Sequence, residues 1–268
     1  MAIIVERDGP VTSVFIDRPQ ARNAVDPETA RELFDTFLAF DADDDASVAV
    51  FGSAHGAFCA GFDLKHAGSM DPDAPAFPKD IPADWKGGRG DEIPPAPMGP
   101  SRLTLSKPVI AAVAGPAVAG GMELALWCDM RVMERSAYMG VFCRRWGVPL
   151  IDGGTVRLPA LVGMGRAMDL ILTGRKVEAE ECEKIGLCEY LVEDGEAVAR
   201  AQALARDIAK FPQACLRRDR QSARAGWGAP LHAGLIEEWK SRVIVEEEGI
   251  AGAKRFSEGA GRGGSFSD

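Results

Sequence analysis

The chain has 268 residues, 46% of them apolar, with a formal charge of −9 and a pI near 5.0. That apolar share can bury a sizeable core in one large domain or two smaller ones. The acidic balance excludes the broad basic face a nucleic-acid binder needs, yet it leaves room for a small anionic ligand held by local cations or a helix N-terminus.

No segment reaches the roughly 18 uninterrupted apolar residues of a membrane span. Glu6, Arg7 and Asp8 follow directly on the short apolar run at the N-terminus, so neither a signal peptide nor an anchor is expected. The six cysteines, Cys59, Cys128, Cys143, Cys182, Cys188 and Cys215, form no CxxC pair and no zinc or disulfide spacing. Reduced thiols in a cytoplasmic protein are the expectation.

Ile3-Ile4-Val5 and Val11 to Ile16 predict two strands joined at Gly9-Pro10. Asp26-Pro27 predicts a capped helix start, followed by Ala30, Leu33, Phe34, Phe37 and Leu38 at helical spacing. Val48 to Phe51 and Val109 to Val113 read as buried strands, each followed by a glycine-containing loop, and Met122 to Trp127 reads as an apolar helix. Strand, loop and helix thus occur twice, which predicts an α/β architecture with active groups on the loops that leave the strands.

Residues 70 to 100 carry eight of the seventeen prolines with Gly87, Gly88 and Gly90, a composition that cannot build its own core. Strand patterns continue on both sides, so a mobile cover over a ligand pocket is expected there. From Thr155 the chain reads as mostly helical: Val156 to Leu172 as one helix ending at Gly174, Ala179 to Ile185, a short strand Tyr190 to Val192, Glu196 to Ala209, and helices after Pro212 and Pro230. A glycine-rich tail from Gly259 to Gly264 is expected to fray.

Two segments carry unusual chemistry: Gly56 to Leu64 (GAFCAGFDL) and Gly115 to Asp129 (GPAVAGGMELALWCD). Each puts small residues where backbone must approach something closely, ahead of a helix whose first turn has free N–H groups. Two facing helix starts of this kind would offer convergent donors to a carbonyl that becomes an oxyanion; ordinary glycine turns would look the same by composition. His55, His66 and His232 sit in no HExxH, and there is no GxSxG nucleophile elbow and no phosphate-binding glycine loop. No metal site is expected.

The two segments, with Phe62 and Gly120 58 residues apart, are similar to the signature segments of the enoyl-CoA hydratase/isomerase (crotonase) superfamily. Arg18 to Ala24, Gly153-Gly154-Thr155, Leu172 to Arg175 and Glu178-Ala179 extend the resemblance over most of residues 3 to 195. It implies a crotonase-like spiral of ββα units over 1–195 and a C-terminal helical trimerisation region over 196–268, assembled as a homotrimer or a dimer of trimers. It also implies an acyl-CoA substrate, with coenzyme A arriving as part of that substrate and no permanent cofactor.

By the same resemblance, the amides of Phe62 and Gly120 form an oxyanion hole, while Ala21, Arg22, Ala24, Ala60 and Lys65 receive coenzyme A. Lys254-Arg255-Phe256 resembles a segment that reaches a neighbouring subunit's coenzyme A. Glu123 matches one of the two glutamates that hydratases of the family use. Its apolar neighbours Met122, Leu124 and Leu126 should raise its pKa toward the range of a general base, opposed by the helix N-terminus.

The position of the second glutamate holds Cys143, a poor proton carrier at an ordinary thiol pKa, although nearby Arg144 and Arg145 could lower it. Asp152 lies one residue beyond the place where some relatives carry a catalytic aspartate. It reads either as the second acid/base group or as the cap of the helix that starts near Gly153. Hydration of a 2-enoyl-CoA is the expected reaction, with enoyl-CoA or dienoyl-CoA isomerisation by one carboxylate, and non-catalytic acyl-CoA binding, as alternatives.

Overall fold

A computed structural model of the chain describes residues 2–69, 81, 82, 85, 93, 94, 96–229, 234–236, 239, 240 and 243. Two compact units divide it, residues 1–205 and 206–268.

In the first unit, β1 (Ile3–Asp8) and β2 (Val11–Ile16) form the expected antiparallel hairpin, and α1 (Pro27–Ala42) follows. Asp26 caps α1: its Oδ1 accepts from the Thr29 amide at 2.9 Å and from Thr29 Oγ1 at 2.7 Å. Its Oδ2 pairs with the Arg18 guanidinium at 2.7 Å. Asp26→Ala is therefore expected to destabilise the fold by about 1–2 kcal/mol in urea unfolding, mostly by orphaning the first-turn amides.

Next come β3 (Val48–Ser53), the short helix α2 (Leu64–Gly68), β4 (Val109–Val113), β5 (Pro116–Val118) and α3 (Gly120–Trp127). After them run β6 (Met130–Glu134), β7 (Tyr138–Gly140), α4 (Gly154–Val162), α5 (Met164–Thr173), β8 (Val177–Glu178), α6 (Ala179–Ile185), β9 (Tyr190–Val192) and α7 (Ala197–Ala209). One sheet has the order β1-β2-β3-β4-β6-β9, parallel from β2 onward, and a second has the order β5-β7-β8. The units β1-β2-α1, β4-β5-α3 and β6-β7-α4 repeat the ββα progression that the sequence implied.

Strands β2, β3 and β4 are buried along their whole length, as parallel strands covered on both faces must be. Their apolar runs supply the core: Phe37 of α1 meets Phe51 edge-on at 5.3 Å and Trp127 at 4.9 Å, and Phe51 meets Phe58 at 5.3 Å. Along α7 the stripe Ala197, Ala201, Ala205 is fully buried, and Gln202 Nε2 donates to Ser13 Oγ of β2 at 3.0 Å.

The single helix expected over 156–172 is two helices. Gly163, with φ +79, separates α4 from α5, and Pro159 inside α4 removes one of the amides that would have tied the turns together. In the second unit α8 (Gln213–Gly226) is the helix expected after Pro212. The helix expected after Pro230 lies mainly outside the described residues, as do the glycine tail and Lys254 to Phe256. The same holds for most of the 70–100 segment that was expected to form a cover.

Candidate active site

Successive repeats of the fold align the two signature segments. Cys59 pairs in parallel with Ala117, and further along the segments Gly61 comes up against Ala119 and Gly120. The contact is close: a Cβ added to Gly61 would lie 2.9 Å from Ala119 Cβ and 3.0 Å from the Gly120 nitrogen. Only a glycine, here at φ +94, lets the backbones approach this far.

Among the described residues neither the Phe62 nor the Gly120 amide has an acceptor, for different reasons. Gly120 opens α3, where the first-turn N–H groups have no intrahelical acceptor. Ala119 before it holds φ +53 and ψ −126, a conformation unusual for a residue with a side chain. Phe62 does not sit in a helix start, contrary to expectation: α2 begins two residues later and is capped by Asp63. Its amide is freed by a parallel bridge in which Val25 donates to Gly61 O and accepts from the Asp63 amide, turning Phe62's own N–H to the other side.

Both segments line one pocket, with a cavity of about 120 Å³. Its polar lining includes Glu123, Cys143 and Asp152, and its apolar walls come from Phe62, Leu64, Met98, Phe142, Trp146 and Val148. Met98 packs directly over Gly120, where an added Cβ would meet its sulfur at 2.6 Å.

Glu123, on the first turn of α3, is 3% exposed. Its Oε1 accepts from the amides of Asp152 at 2.9 Å and Gly154 at 2.8 Å, which leaves Oε2 with no protein partner among the described residues. Burial raises its pKa to about 7, with the nearby Asp152 charge pushing the same way and the two amides opposing.

Asp152 does not cap α4. The cap residue is Gly153, without a side-chain bond, and the Gly154 amide at the helix start is taken by Glu123 instead. Asp152 is 3% exposed, and its Oδ1 accepts from Ser101 Oγ at 2.5 Å and the Met98 amide at 3.1 Å. Burial raises its pKa as well, against the lowering effect of the Ser101 hydroxyl.

Cys143, in the 3-10 turn Phe142–Trp146, is buried, and its thiol is pushed up by burial and then by Glu123. The lowering that Arg144 and Arg145 could have supplied does not win. Both arginines are exposed, Arg145 stacks on Phe142 at 3.7 Å and Arg144 Nε donates to Ile171 O, so water screens them while the thiol is dry.

Of the residues expected at coenzyme A, Ala60 lines this pocket and is tied by its backbone to Arg22: its amide donates to Arg22 O at 3.1 Å. Asn23, fully buried at φ +56, accepts from the Arg18 amide and donates to Ala57 O at 2.7 Å. Arg18 in turn bonds Ala24 O and pairs with Asp26 and Asp63. Ala21 ends the 3-10 turn Pro19–Ala21 and Arg22 follows as its cap, exposed; Lys65, in the first turn of α2, is exposed as well. Among the described residues no group of three or more His, Cys, Asp or Glu is placed to hold a metal ion, and no helix is long and apolar enough to cross a membrane.

Ser101, Arg157 and Met98 surround Asp152 without belonging to any motif seen in the sequence. A proline-rich stretch has no periodicity from which the inward-facing positions of 98 and 101 could be read.

Residues 6–85 and 101–256 match the enoyl-CoA hydratase/isomerase family. Enoyl-CoA hydratase EchA19 of Mycobacterium tuberculosis is 36% identical over 209 residues, 75% of this chain and 72% of that protein. A probable enoyl-CoA hydratase of Rhizobium meliloti is 36% identical over 263 residues, 96% of each chain. The crystal structure of enoyl-CoA hydratase EchA1 from Mycobacterium marinum superposes with a TM-score of 0.82 at 30% identity, covering 96% of both chains. With its motifs, repeat topology and relatives in agreement, the chain belongs to the enoyl-CoA hydratase/isomerase family and is an enzyme of it.

Proposed function

We propose that this enzyme hydrates a 2-enoyl-CoA thioester, and that the reaction runs between Glu123 and Asp152. One observation carries the reading: two buried carboxyl groups line the same pocket as Phe62 and Gly120, whose amides have no acceptor among the described residues. With the thioester oxygen between those amides, negative charge building up on it is met by donors already in place. Glu123 Oε2 takes a proton from water as its oxygen bonds to the β carbon. The double-bond pair shifts to join the α carbon to the thioester carbon while the carbonyl pair moves onto oxygen; as C=O re-forms, the α carbon uses that shared pair to take the proton of protonated Asp152. Glu123 is left protonated and Asp152 ionised, and a proton passed back across the cavity restores the starting state.

Ala21, Arg22, Ala24, Ala60 and Lys65 are assigned to coenzyme A, which leaves with the product; no permanent cofactor is required. We further read residues 196–268 as the region that assembles a homotrimer or a dimer of trimers, and the six cysteines, reduced, as those of a cytoplasmic enzyme.

Cys143 favours a second reading. A thiol whose pKa is raised replaces one of the family's two glutamates, and isomerisation of an enoyl-CoA or dienoyl-CoA needs a single base that removes a proton and returns it. Crotonyl-CoA separates the two: hydration removes its conjugated-thioester absorbance. An unchanged spectrum at high enzyme concentration sinks the hydratase reading. Appearance of that absorbance from a 3-enoyl-CoA then establishes isomerisation, and binding with no reaction of either would mark an acyl-CoA binder.

A further inference from the structure

Building on the role proposed for Asp152, we infer that Ser101 and Arg157 are positioning residues that hold one Asp152 oxygen against the protein and turn the other to the pocket. Ser101 lies in the 3-10 turn Pro100–Arg102, and its hydroxyl donates to Asp152 Oδ1 at 2.5 Å. The Met98 amide donates to the same oxygen at 3.1 Å. With both donors on Oδ1, Oδ2 has no partner among the described residues, and Asp152 lines the cavity.

Arg157 fixes the frame of this contact. From α4, its Nη1 donates to the Asp152 carbonyl at 2.8 Å and its Nη2 to the Ser101 carbonyl at 2.6 Å. One planar fork thus spans the backbones of both the hydroxyl donor and the carboxylate acceptor, a geometry that lysine cannot reproduce. Gly153 makes room for the fork: a Cβ there would lie 2.1 Å from Nη1, and its φ is +97. Ser101 is 2% exposed and Asp152 3%, so the bond between them is out of water, where a charge-assisted hydrogen bond is strongest.

The arrangement has a direction. A hydroxyl donating to Oδ1 favours the ionised carboxylate, while burial favours the acid. The charged and titratable groups around Asp152 are Glu123 of α3, Arg102 of the 3-10 turn and Arg157 of α4, with Cys143 on the same cavity. Among the described residues, Ser101 is the one uncharged side chain that bonds the carboxyl directly.

The test follows the Asp152 carboxyl by ¹³C NMR across pH in the full-length chain, its signal identified by loss in Asp152→Asn, together with crotonyl-CoA kinetics. Ser101→Ala is expected to move the Asp152 titration upward by about 1 pH unit and to lower kcat about 10-fold with KM little changed. Ser101→Thr, which keeps the hydroxyl, is expected to restore both. Arg157→Lys is expected to lower kcat similarly without raising KM. In an Asp152→Asn background Ser101→Ala should change kcat/KM by less than about 2-fold, because its effect passes through the missing carboxyl. An unmoved titration in Ser101→Ala, or a full additive loss in the Asp152→Asn background, overturns the inference. A wild-type chain that converts neither crotonyl-CoA nor a 3-enoyl-CoA overturns the proposed reaction instead, and the NMR titration still decides the positioning role.

Discussion

Glu123→Gln is expected to lower kcat on a 2-enoyl-CoA by about 100- to 10,000-fold, the usual cost of removing a general base, and to leave the fold intact. The amide oxygen of glutamine can still accept from the Asp152 and Gly154 amides that now bond Oε1, so the start of α4 stays satisfied. Only the group facing the cavity changes. In the wild type kcat/KM is expected to rise with pH as Glu123 ionises, with a midpoint near 7, and this limb should vanish in the variant.

Stability should move the other way. Glu123 titrates at about 7 when folded against 4.5 for the free side chain, so between those values the folded chain holds the extra proton. Raising pH through this window therefore removes stability, by up to about 3 kcal/mol from Glu123 alone. Glu123→Gln escapes the loss, and its advantage over the wild type in urea unfolding should be larger at pH 8 than at pH 5. A variant that keeps wild-type turnover would remove Glu123 from the mechanism, whatever its stability.

How much of this site could be read from sequence depended on whether a residue's role was local. The Asp26 cap, the hairpin at Gly9-Pro10 and the buried strands were legible because cap chemistry and apolar runs act within a few residues. The meeting of the two signature segments was legible only through the family resemblance, since it depends on contact between repeats 58 residues apart, at Cys59 and Ala117. The source of Phe62's free amide was not legible: GAFCAGFDL looks like a helix approach, and the bridge to Val25 that turns the N–H is a tertiary event.

Asp152 shows the same limit. Aspartate before Gly153-Gly154 is good cap chemistry, but the Glu123 carboxylate, from 29 residues earlier, takes the helix-start amide, and Ser101 and Met98 claim the aspartate. Local preference lost to two long-range contacts. At Cys143 the open point was whether Arg144 and Arg145 could lower the thiol, and sequence counts neighbouring arginines without showing that their charges point to water.

Gly61→Ala carries the second large effect: kcat/KM is expected to fall by about 100- to 1,000-fold, as when one oxyanion donor is lost. The new methyl group would lie 2.9 Å from Ala119 Cβ, 3.0 Å from the Gly120 nitrogen and 3.2 Å from Val118 O. Backbone cannot yield to such contacts as a flexible side chain can, so the two segments must separate, and separation moves both donors at once. A φ of +94 adds strain for any residue with a side chain, and unfolding should show a loss of about 1–3 kcal/mol. Gly9→Ala separates the two consequences. Gly9 also has positive φ, +55, but nothing lies within 4 Å of its added Cβ, and it sits in the β1–β2 turn away from the pocket. That variant should lose about 1 kcal/mol of stability and keep its turnover. If Gly61→Ala behaved like Gly9→Ala, with activity near wild type, the amides of Phe62 and Gly120 could not be the groups that hold the thioester oxygen. A loss confined to Gly61→Ala, in soluble protein that still binds coenzyme A, would tie the rate to the spacing between the two segments.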